Sequence, residues 1–509
     1  MKNAVDQNNT DDRLNNQIRG FLGLWPFVLG LAFSRAGIVA INYGSYIETD
    51  AGIFSEKIIL ASLLLTALAL PVLFSKDRQL GRSFVHVLAI ASVLIAGALL
   101  AVSAVLAYLG IEDQTANLAL GISLALFGRL AMFYWLRRLK GMSPLNSIFA
   151  VFTALALSEV VISLYVFLPD SLAYLIAAVL MVSQLLFLRK PDLASRAPAG
   201  QKESPPSNYF EFARALMSKK QFLFFSATGI GLTSIVIGFL RGYPNGMAIA
   251  FTAQTRIGYV LLTVALCVLF IVMAVKGHHR IMSLGIWITL QLLASLALFS
   301  YAAFPADLQI GAVFTTTMNA MMLGFAWYTI IAFSSLGFKD PYYYAIFTFM
   351  AWISFRAFAR VALYGFAFIS GNTLLVSVLI GVALLLSAQI IYMQYIGIAR
   401  SEAKNVIERF TARKSAFTTI MGLDEHNSMD DIRKTSMVQS AKDVGKQFLL
   451  SEREIEVLSL YALGFTQRRV AEELHVSQST VHTHIKRIYA KTDIHSRQAL
   501  LDYIKEHAV

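Results

Sequence analysis

A polar helix face near the end of the chain carries the side chains best suited to recognition chemistry. Residues 478–492 have apolar side chains at helical spacing, and hydroxyl, amide, imidazole and cationic side chains occupy the remaining positions. DNA base edges and phosphates require such donors, acceptors and cations. No acidic residue lies between His475 and Thr492. The pattern by itself fits a solvated basic helix equally well, so the flanking segments decide between the two readings.

The flanking residues predict short helices with well-defined ends. Ser451 and Glu454 have the spacing of a capping box, and Gly464 is a suitable left-handed stop for the helix that they begin. Thr466 can cap a second helix and Ser477 a third, after a three-residue turn. Two short helices joined by such a turn form a helix-turn-helix, whose second helix enters the major groove of DNA.

This segment resembles the LuxR/FixJ-type DNA-binding domain over about an eighth of the chain. The matching residues are Leu450, Arg453, Glu454, Glu456, Val457, Leu458, Gly464, Thr466, Ala471, Leu474, Ser477, Thr480, Val481, His484, Ile488, Lys491 and Arg497. The resemblance implies a four-helix domain that binds DNA as a dimer through its last helix, here residues 497–507. It also implies that His482, Thr483 and Lys486 read bases.

Three positions depart from the family pattern. His482 and Thr492 stand where the family usually has Lys and Leu, and Arg469 replaces a Glu, which removes a second capping box and adds a cation toward phosphate. The change at His482 leaves the operator sequence open. The full set of expected DNA contacts is Thr466, Gln467, Arg468, Arg469, Ser477, Gln478, Ser479, Thr480, His482, Thr483, Lys486, Arg487 and Lys491. An apolar stripe of Ala499, Leu500, Tyr503 and Ile504 predicts dimerisation through Leu500, Tyr503 and Ile504, although Leu500 could instead belong to the core of the domain.

The rest of the chain has the composition of a membrane protein. Of 509 residues, 57% are hydrophobic and only 15% charged, and apolar runs long enough to span a bilayer recur. Twelve spans are predicted near residues 21–43, 58–75, 84–109, 116–136, 147–168, 171–188, 221–240, 255–275, 281–304, 309–335, 343–369 and 372–398. The fold class is therefore all-α, with a polytopic membrane bundle followed by a small helix-turn-helix domain.

Polar segments divide the chain into further regions. We predict an N-terminal tail (1–20), two membrane halves (21–188 and 221–398), a central loop (189–220), a juxtamembrane helix and linker (399–445) and the DNA-binding domain (446–509). Within the linker region, 399–421 is helix-permissive and 422–446 has the composition of a flexible linker. The six-plus-six division is similar to the major facilitator superfamily, although no clear transporter motif accompanies it.

The charges of the loops alternate along the chain. Cations mark one side and acidic residues the other, and much of the net charge of +12 lies in these loops and the linkers. The positive-inside rule then places both termini and the DNA-binding domain in the cytoplasm of a bacterial cell, with the spans in its inner membrane. This topology agrees independently with a domain that must reach DNA.

Charged residues within the predicted spans are candidates for a ligand site. They are Arg35, Arg129, Glu159, Arg356 and Arg360. The surplus of arginines over the single carboxylate predicts a cavity for an anionic small molecule, but the arginines could equally be satisfied by backbone carbonyls or reach the interface. Arg129 and Glu159 lie on neighbouring spans and are as consistent with a structural ion pair as with a ligand clamp.

Little in the sequence indicates an enzyme. No phosphate-binding glycine loop, nucleophile elbow or zinc site is present, and the single cysteine, Cys267, lies in an apolar run. We therefore expect no catalysis, metal or cofactor.

The sequence favours a membrane-bound one-component transcription regulator whose partners are double-stranded DNA, the lipid bilayer, a small-molecule ligand and a second copy of the chain on DNA. The alternative is a secondary transporter with a DNA-binding regulatory tail. A third reading, in which the spans only anchor the domain, is less economical, because one span would suffice for that.

Overall fold

The computed structural model describes residues 23–43, 51–71, 79–111, 113–188, 210–218, 220–247, 249, 251–366, 372–392 and 428–506. The chain divides into two compact units, residues 1–404 and 405–509. Throughout the described residues the regular structure is helical, which confirms the predicted all-α class. The predicted N-terminal tail (1–20) and the juxtamembrane helix (399–421) lie outside the described residues.

The first unit is a bundle of long apolar helices. Its first half contains α1 (Trp25–Tyr43), α2 (Ala51–Ala67), α3 (Arg82–Leu109), α4 (Gln114–Arg138), α5 (Pro144–Leu164) and α6 (Asp170–Ser183, continued by Leu185–Leu188). A short helix, α7 (Glu211–Ser218), precedes the second half. The second half contains α8 (Lys220–Arg241), α9 (Ala253–Val275), α10 (Gly285–Ala303), α11 (Gln309–Leu336), α12 (Pro341–Phe349), α13 (Phe355–Gly365) and α14 (Thr373–Tyr392).

Helix starts in the bundle follow local capping chemistry. Ser143 and Asp340 accept hydrogen bonds from backbone N–H groups of the first turns of α5 and α12, and each cap precedes a proline at the first helical position. Gly110 ends α3 in a left-handed conformation, with φ 64°. The boundaries of these helices are therefore determined largely by local sequence.

Among the described residues, nine helices are long and apolar enough to cross a membrane. The helices Trp25–Ala40 and Ser226–Arg241 are apolar but shorter. The count of twelve spans stays a prediction. The start of the second span, predicted near residue 58, differs: α2 begins at Ala51, which brings Glu56 into the helix and into the interior of the bundle.

A π-helical segment, Met350–Ser354, interrupts the predicted span 343–369 between α12 and α13. The wider turn changes which residues of α13 face the interior. Trp352 and Ile353 within the segment are buried, and so are Arg356 and Arg360 beyond it. Single π turns are frequently found at functional sites.

The described parts of two segments predicted to lack structure are helical. Within the central loop (189–220), α7 packs Phe212 against Phe325 and Tyr328, with ring centroids 6.0 and 6.1 Å apart. The flexible linker predicted over 422–446 is wrong from Ser428 onward, because Ser428–Gln447 forms helix α15. Both helices bury apolar side chains against distant parts of the chain, Phe212, Ala213 and Leu216 in α7 and Ala441 and Val444 in α15.

The second unit contains α15 followed by α16 (Glu452–Ala462), α17 (Gln467–Glu473), α18 (Gln478–Thr492) and α19 (Arg497–Glu506). Its separate hydrophobic core includes Ala441 and Val444 of α15, Leu458 of α16, Val481 of α18 and Ile504 of α19. Helix α15 packs against α16 and α19. The unit therefore has five helices among its described residues, one more than the four implied by the family resemblance.

Candidate nucleic-acid interface and arginine cavity

The helix-turn-helix is held by caps that the sequence predicts correctly. The Ser451 N–H donates to the Glu454 carboxylate at 2.8 Å, and the Glu454 N–H donates to the Ser451 hydroxyl at 3.3 Å, so the capping box is confirmed. Thr466 caps α17 by accepting a hydrogen bond from the Arg469 N–H, and Ser477 caps α18 by accepting one from the Thr480 N–H. Gly464 has a φ of 89°, as predicted for the end of α16.

The turn between α17 and α18 depends on His475. Its φ is 53°, and the following Val476 N–H donates to the Ala471 carbonyl at 3.0 Å. Histidine tolerates this left-handed region better than most residues with a side chain. The turn ends α17, and α18 begins directly after it under the Ser477 cap.

Helix α18 buries one side and exposes the other. Val481, Ile485 and Ile488 pack into the core of the unit. The exposed side carries the predicted recognition residues Gln478, Ser479, Thr480, His482, Thr483, Lys486 and Arg487. The structure thus brings the hydroxyl, imidazole and cationic groups onto one open surface. This is the arrangement that major-groove reading requires.

Several residues predicted to contact DNA also have contacts within the unit. The Lys491 ammonium lies 2.6 Å from a Glu454 carboxylate oxygen and 3.4 Å from the Leu449 carbonyl. Arg468 forms an ion pair with Glu472 at 3.2 Å, and the Arg469 guanidinium lies 4.9 Å from the Phe465 ring centroid. Gln467 is the first residue of α17. Each of these three cations therefore already has an interaction partner within the unit.

Arg497, one of the family-matching residues, has a structural role. Its guanidinium donates to the Phe465 carbonyl at 3.1 Å and lies 4.5 Å from the Tyr461 ring centroid. It therefore links the start of α19 to the loop after α16 through the hydrogen bond and to α16 itself through the cation–π contact. Burial, together with the hydrogen bond between the Tyr489 and Tyr461 hydroxyls, raises the pKa of Tyr489 to about 12, although the charge of Arg497 acts in the opposite direction.

Two of the three residues predicted to form the dimerisation surface lie inside the unit, and the third is half-buried. Leu500 and Ile504 are fully buried in the core of their own unit. Tyr503 packs against Phe448, with ring centroids 5.8 Å apart, and its hydroxyl accepts a hydrogen bond from Gln447 at 3.2 Å. The apolar stripe of α19 is therefore covered within the chain, because α15 and the residues after it supply the partner that the sequence suggested would be a second copy.

A cavity of about 190 Å³ lies inside the first unit. All five predicted ligand residues line it: Arg35, Arg129, Glu159, Arg356 and Arg360. Arg241 and Arg256, which the sequence prediction missed, line it as well. Six arginines and one carboxylate therefore face the cavity among its described lining residues, together with aromatic side chains that include Tyr259, Tyr301 and Trp352.

The pairing of Glu159 differs from the prediction. Its carboxylate lies 2.5 Å from the guanidinium of Arg35 on α1, and the Arg35 guanidinium also donates to the Ser158 hydroxyl at 2.7 Å. Arg129 does not form the suggested pair with Glu159. Its guanidinium donates to the hydroxyls of Ser62 and Thr66, at 3.0 and 3.3 Å.

Glu56 is the functional candidate that sequence reasoning missed. The side chain is 1% exposed and shared by three arginines, Arg356 at 3.3 Å, Arg241 at 3.4 Å and Arg360 at 3.5 Å. The signal in the sequence was Glu56 itself, an acidic residue directly before the span predicted at 58–75. A helix that began one or two turns earlier would include it. Asn319 additionally accepts a hydrogen bond from Arg356 at 2.7 Å.

Residues 449–504 match the model of the family "Bacterial regulatory proteins, luxR family". The Fimbriae Z protein of Salmonella typhimurium is 40% identical over 58 residues, which are 11% of this chain and 28% of that protein. The oxygen regulatory protein NreC of Staphylococcus haemolyticus is 32% identical over 96 residues, or 19% of this chain and 40% of that protein. The response regulator protein VraR of Staphylococcus aureus is 34% identical over 59 residues, 12% of this chain and 28% of that protein.

The chain thus spans less than half the length of these curated relatives, and the matches identify a LuxR-type helix-turn-helix domain at its C-terminal end. Two solved structures align with most of the chain. A bacterial homologue of the iron transporter ferroportin in the outward-facing state is 12% identical, with a TM-score of 0.48, over 74% of this chain and 99% of that chain. The major facilitator superfamily transporter FucP in the outward conformation is 12% identical, with a TM-score of 0.41, over 72% of this chain and 98% of that chain.

Proposed function

We propose that this protein is a membrane-bound one-component transcription regulator. It senses a small anion in the arginine-lined cavity and binds promoter DNA through α18. The observation that carries the proposal is the presence, on one chain, of a LuxR-type domain with an open cationic recognition face and a helix bundle with six arginines around one cavity.

DNA binding is supported by the chemistry of the exposed face of α18. His482, Thr483 and Lys486 are all solvent-exposed, and no described residue of the unit covers them. Two copies would bind adjacent half-sites roughly 34 Å apart on one face of the duplex. Since Leu500 and Ile504 are internal, pairing of the copies would use the exposed side of α19, which carries Gln498 and Ala499.

Anion sensing is supported by the charge of the cavity. Guanidinium groups taken out of water need compensation by opposite charge, and Arg129 has neutral hydroxyl partners in Ser62 and Thr66. An acid from outside would supply that compensation. A ligand shifts an equilibrium only through different affinities for two states, and a shift from 1:99 to 99:1 needs about 5.5 kcal/mol. A few charge-assisted hydrogen bonds, at roughly 1.5–3 kcal/mol each, are sufficient.

The proposal places the bundle in a bacterial inner membrane, with both termini and the DNA-binding unit in the cytoplasm. Its support is the nine apolar helices among the described residues and the alternation of basic and acidic loops along the chain.

The test measures promoter output in cells. Chromatin pull-down with the full-length protein identifies a bound promoter, and a reporter driven by that promoter is exposed to a panel of carboxylates and phenolates. Arg356→Gln should abolish the response to the active compound, whereas Lys276→Gln, in an exposed basic loop, should keep it. A full response from membrane-inserted Arg356→Gln would contradict ligand sensing at this site.

Transport is the second candidate. Proton-coupled carriers generally use buried titratable carboxylates, and the bundle has another buried carboxylate, Glu56, in addition to Glu159. Flux of the active anion into vesicles that contain the protein would favour this function. Binding without flux would favour the sensor.

A further inference from the structure

The two buried carboxylates near the cavity are held in different ways. Glu159 forms a tight pair with Arg35 at 2.5 Å, and Ser158 completes the site. Both residues lie on helices of the first half, α1 and α5. An ion pair this short is satisfied by its own partners, so Glu159 serves as a structural element of the first half.

Glu56 is held loosely and between halves. Its three arginine contacts are 3.3–3.5 Å long, beyond the roughly 2.7–2.9 Å of a good guanidinium–carboxylate hydrogen bond. Glu56 lies on α2 of the first half, whereas Arg241 lies on α8 and Arg356 and Arg360 on α13 of the second half. One carboxylate therefore compensates three guanidinium groups across the boundary between the halves without optimal geometry for any of them.

The same arginines face the cavity. Arg241, Arg356 and Arg360 all line it, so a second acid that enters the cavity would reach the groups to which Glu56 is bound. A planar carboxylate can form two parallel hydrogen bonds with one guanidinium, a better geometry than the shared contacts of Glu56. Exchange of one carboxylate for the other would weaken the link between α2 and α13.

The volume and lining of the cavity restrict the size of the acid. A cavity of roughly 150 Å³ holds one benzene molecule, and this one measures about 190 Å³. The remaining space accommodates one small substituent. Tyr259, Tyr301 and Trp352 provide aromatic surface beside the arginines. A single ring with one acid group fits both the volume and the lining.

We propose that the ligand is a small monocyclic carboxylic acid whose carboxylate displaces Glu56 from Arg241, Arg356 and Arg360. Glu56 is then an internal competitor that sets ligand affinity, and its release loosens the contact between the two halves of the bundle. This inference rests on the proposed function for the identity of the site, but it makes a separate claim about binding.

The experiment measures binding of benzoate to the purified full-length protein in lipid nanodiscs by isothermal titration calorimetry. Removing the internal competitor with Glu56→Gln should tighten benzoate binding about tenfold or more, because a charge-assisted interaction no longer has to be broken. The affinity for neutral benzamide should not change on the Glu56→Gln substitution. Asp340→Asn is the matched control, because it also removes one buried carboxylate charge from the bundle, but Asp340 pairs with Arg137 outside the cavity lining and its replacement should not tighten binding.

The results separate the possible explanations. Equal tightening by Glu56→Gln and Asp340→Asn would mean a general electrostatic effect and would overturn the displacement. Unchanged or weaker binding to Glu56→Gln that retains the wild-type thermal transition would overturn it too, as would the absence of saturable benzoate binding to both wild type and Glu56→Gln. Should Glu56→Gln fail to fold, Glu56→Asp keeps the charge but shortens the reach, and it should tighten benzoate binding in the same direction; no tightening there would overturn the proposal.

Failure of the proposed function has a different signature. Benzoate binding that tightens in Glu56→Gln, with DNA binding unaffected by any acid, would leave the displacement standing and remove the sensor. A promoter response to an acid, with no effect of Glu56→Gln on the affinity for that acid, would leave the sensor standing and remove the displacement.

Discussion

The ammonium of Lys491 lies 2.6 Å from a carboxylate oxygen of Glu454, which stands 37 residues earlier in the chain. Glu454 is also the second member of the capping box at the start of α16. The contact therefore joins the end of the recognition helix α18 to the first turn of α16. Burial by itself raises the pKa of Glu454, but the hydrogen bonds from Lys491 and Ser451 outweigh it and hold the pKa below its ordinary value of 4.5.

The lowered pKa of Glu454 predicts acid sensitivity of the second unit. A carboxyl group whose pKa is lower in the folded state stabilises that state above its unfolded pKa, and the contribution is lost as pH falls through the folded pKa. Lys491→Ala should lower the free energy of unfolding at pH 7 by about 1 kcal/mol, and this difference should vanish at a pH below the folded pKa. Denaturant unfolding of residues 428–509, which bury their own core, measures both values.

Arg453→Ala is the control for that pair. Arg453 and Glu456 lie 2.7 Å apart, but the arginine side chain is 65% exposed, so its removal should change stability little. Equal losses for Lys491→Ala and Arg453→Ala at every pH would contradict a special role for the Glu454 contact.

The exposed face of α18 predicts graded effects on DNA affinity. Lys486→Ala should cost about 1–3 kcal/mol if its side chain reads a base, and a smaller, sequence-independent amount if it contacts only phosphate. Lys491→Ala should cost less, because Glu454 already binds its ammonium. Binding to the identified promoter and to a scrambled duplex, at one stated salt concentration, gives these values.

Lys446→Ala serves as the matched control for DNA binding. Lys446 is highly exposed at the end of α15 and lies 3.6 Å from Asp443, away from the recognition helix in sequence. It should leave affinity unchanged. Unchanged affinity for Lys486→Ala combined with Arg487→Ala would show that α18 is not the recognition helix.

Helix α15 is predicted to be an integral part of the DNA-binding unit. Val444 is 1% exposed in the core, so Val444→Ala should lower the free energy of unfolding by about 1–3 kcal/mol. Asp443→Ala, on the neighbouring exposed position, should have little effect. Thermal unfolding of residues 428–509 measures both, and equal transitions for the two variants would mean that α15 is not packed against the unit.

The single cysteine makes the predicted topology testable. Cys267 is buried, and Cys267→Ser provides a background without cysteines. On that background, Lys276→Cys should react with a membrane-impermeant thiol reagent only after cell lysis, whereas Gln114→Cys should react in intact cells, because the basic loops face the cytoplasm. Both positions are exposed in the structure. Labelling of Lys276→Cys in intact cells would show the opposite topology, in which the C-terminal domain could not reach DNA.

Local sequence determined the features that depend on neighbouring residues. Ser451, Gly464, Thr466 and Ser477 predict helix ends correctly, because capping involves backbone groups only a few residues away. The apolar periodicity of α18 likewise predicts which face is buried and which is open to DNA.

Tertiary structure decided the contacts between residues distant in sequence. The pairing of Glu159 with Arg35 rather than Arg129, and the position of Glu56 among three arginines, depend on how the helices of the bundle pack, which periodicity within one helix does not specify. The apolar side of α19 illustrates the same limit, since the sequence shows that Leu500 and Ile504 need a partner surface but not that α15 of the same chain supplies it. Burial of an apolar stripe is favourable against any apolar surface, and only the fold selects which one is within reach.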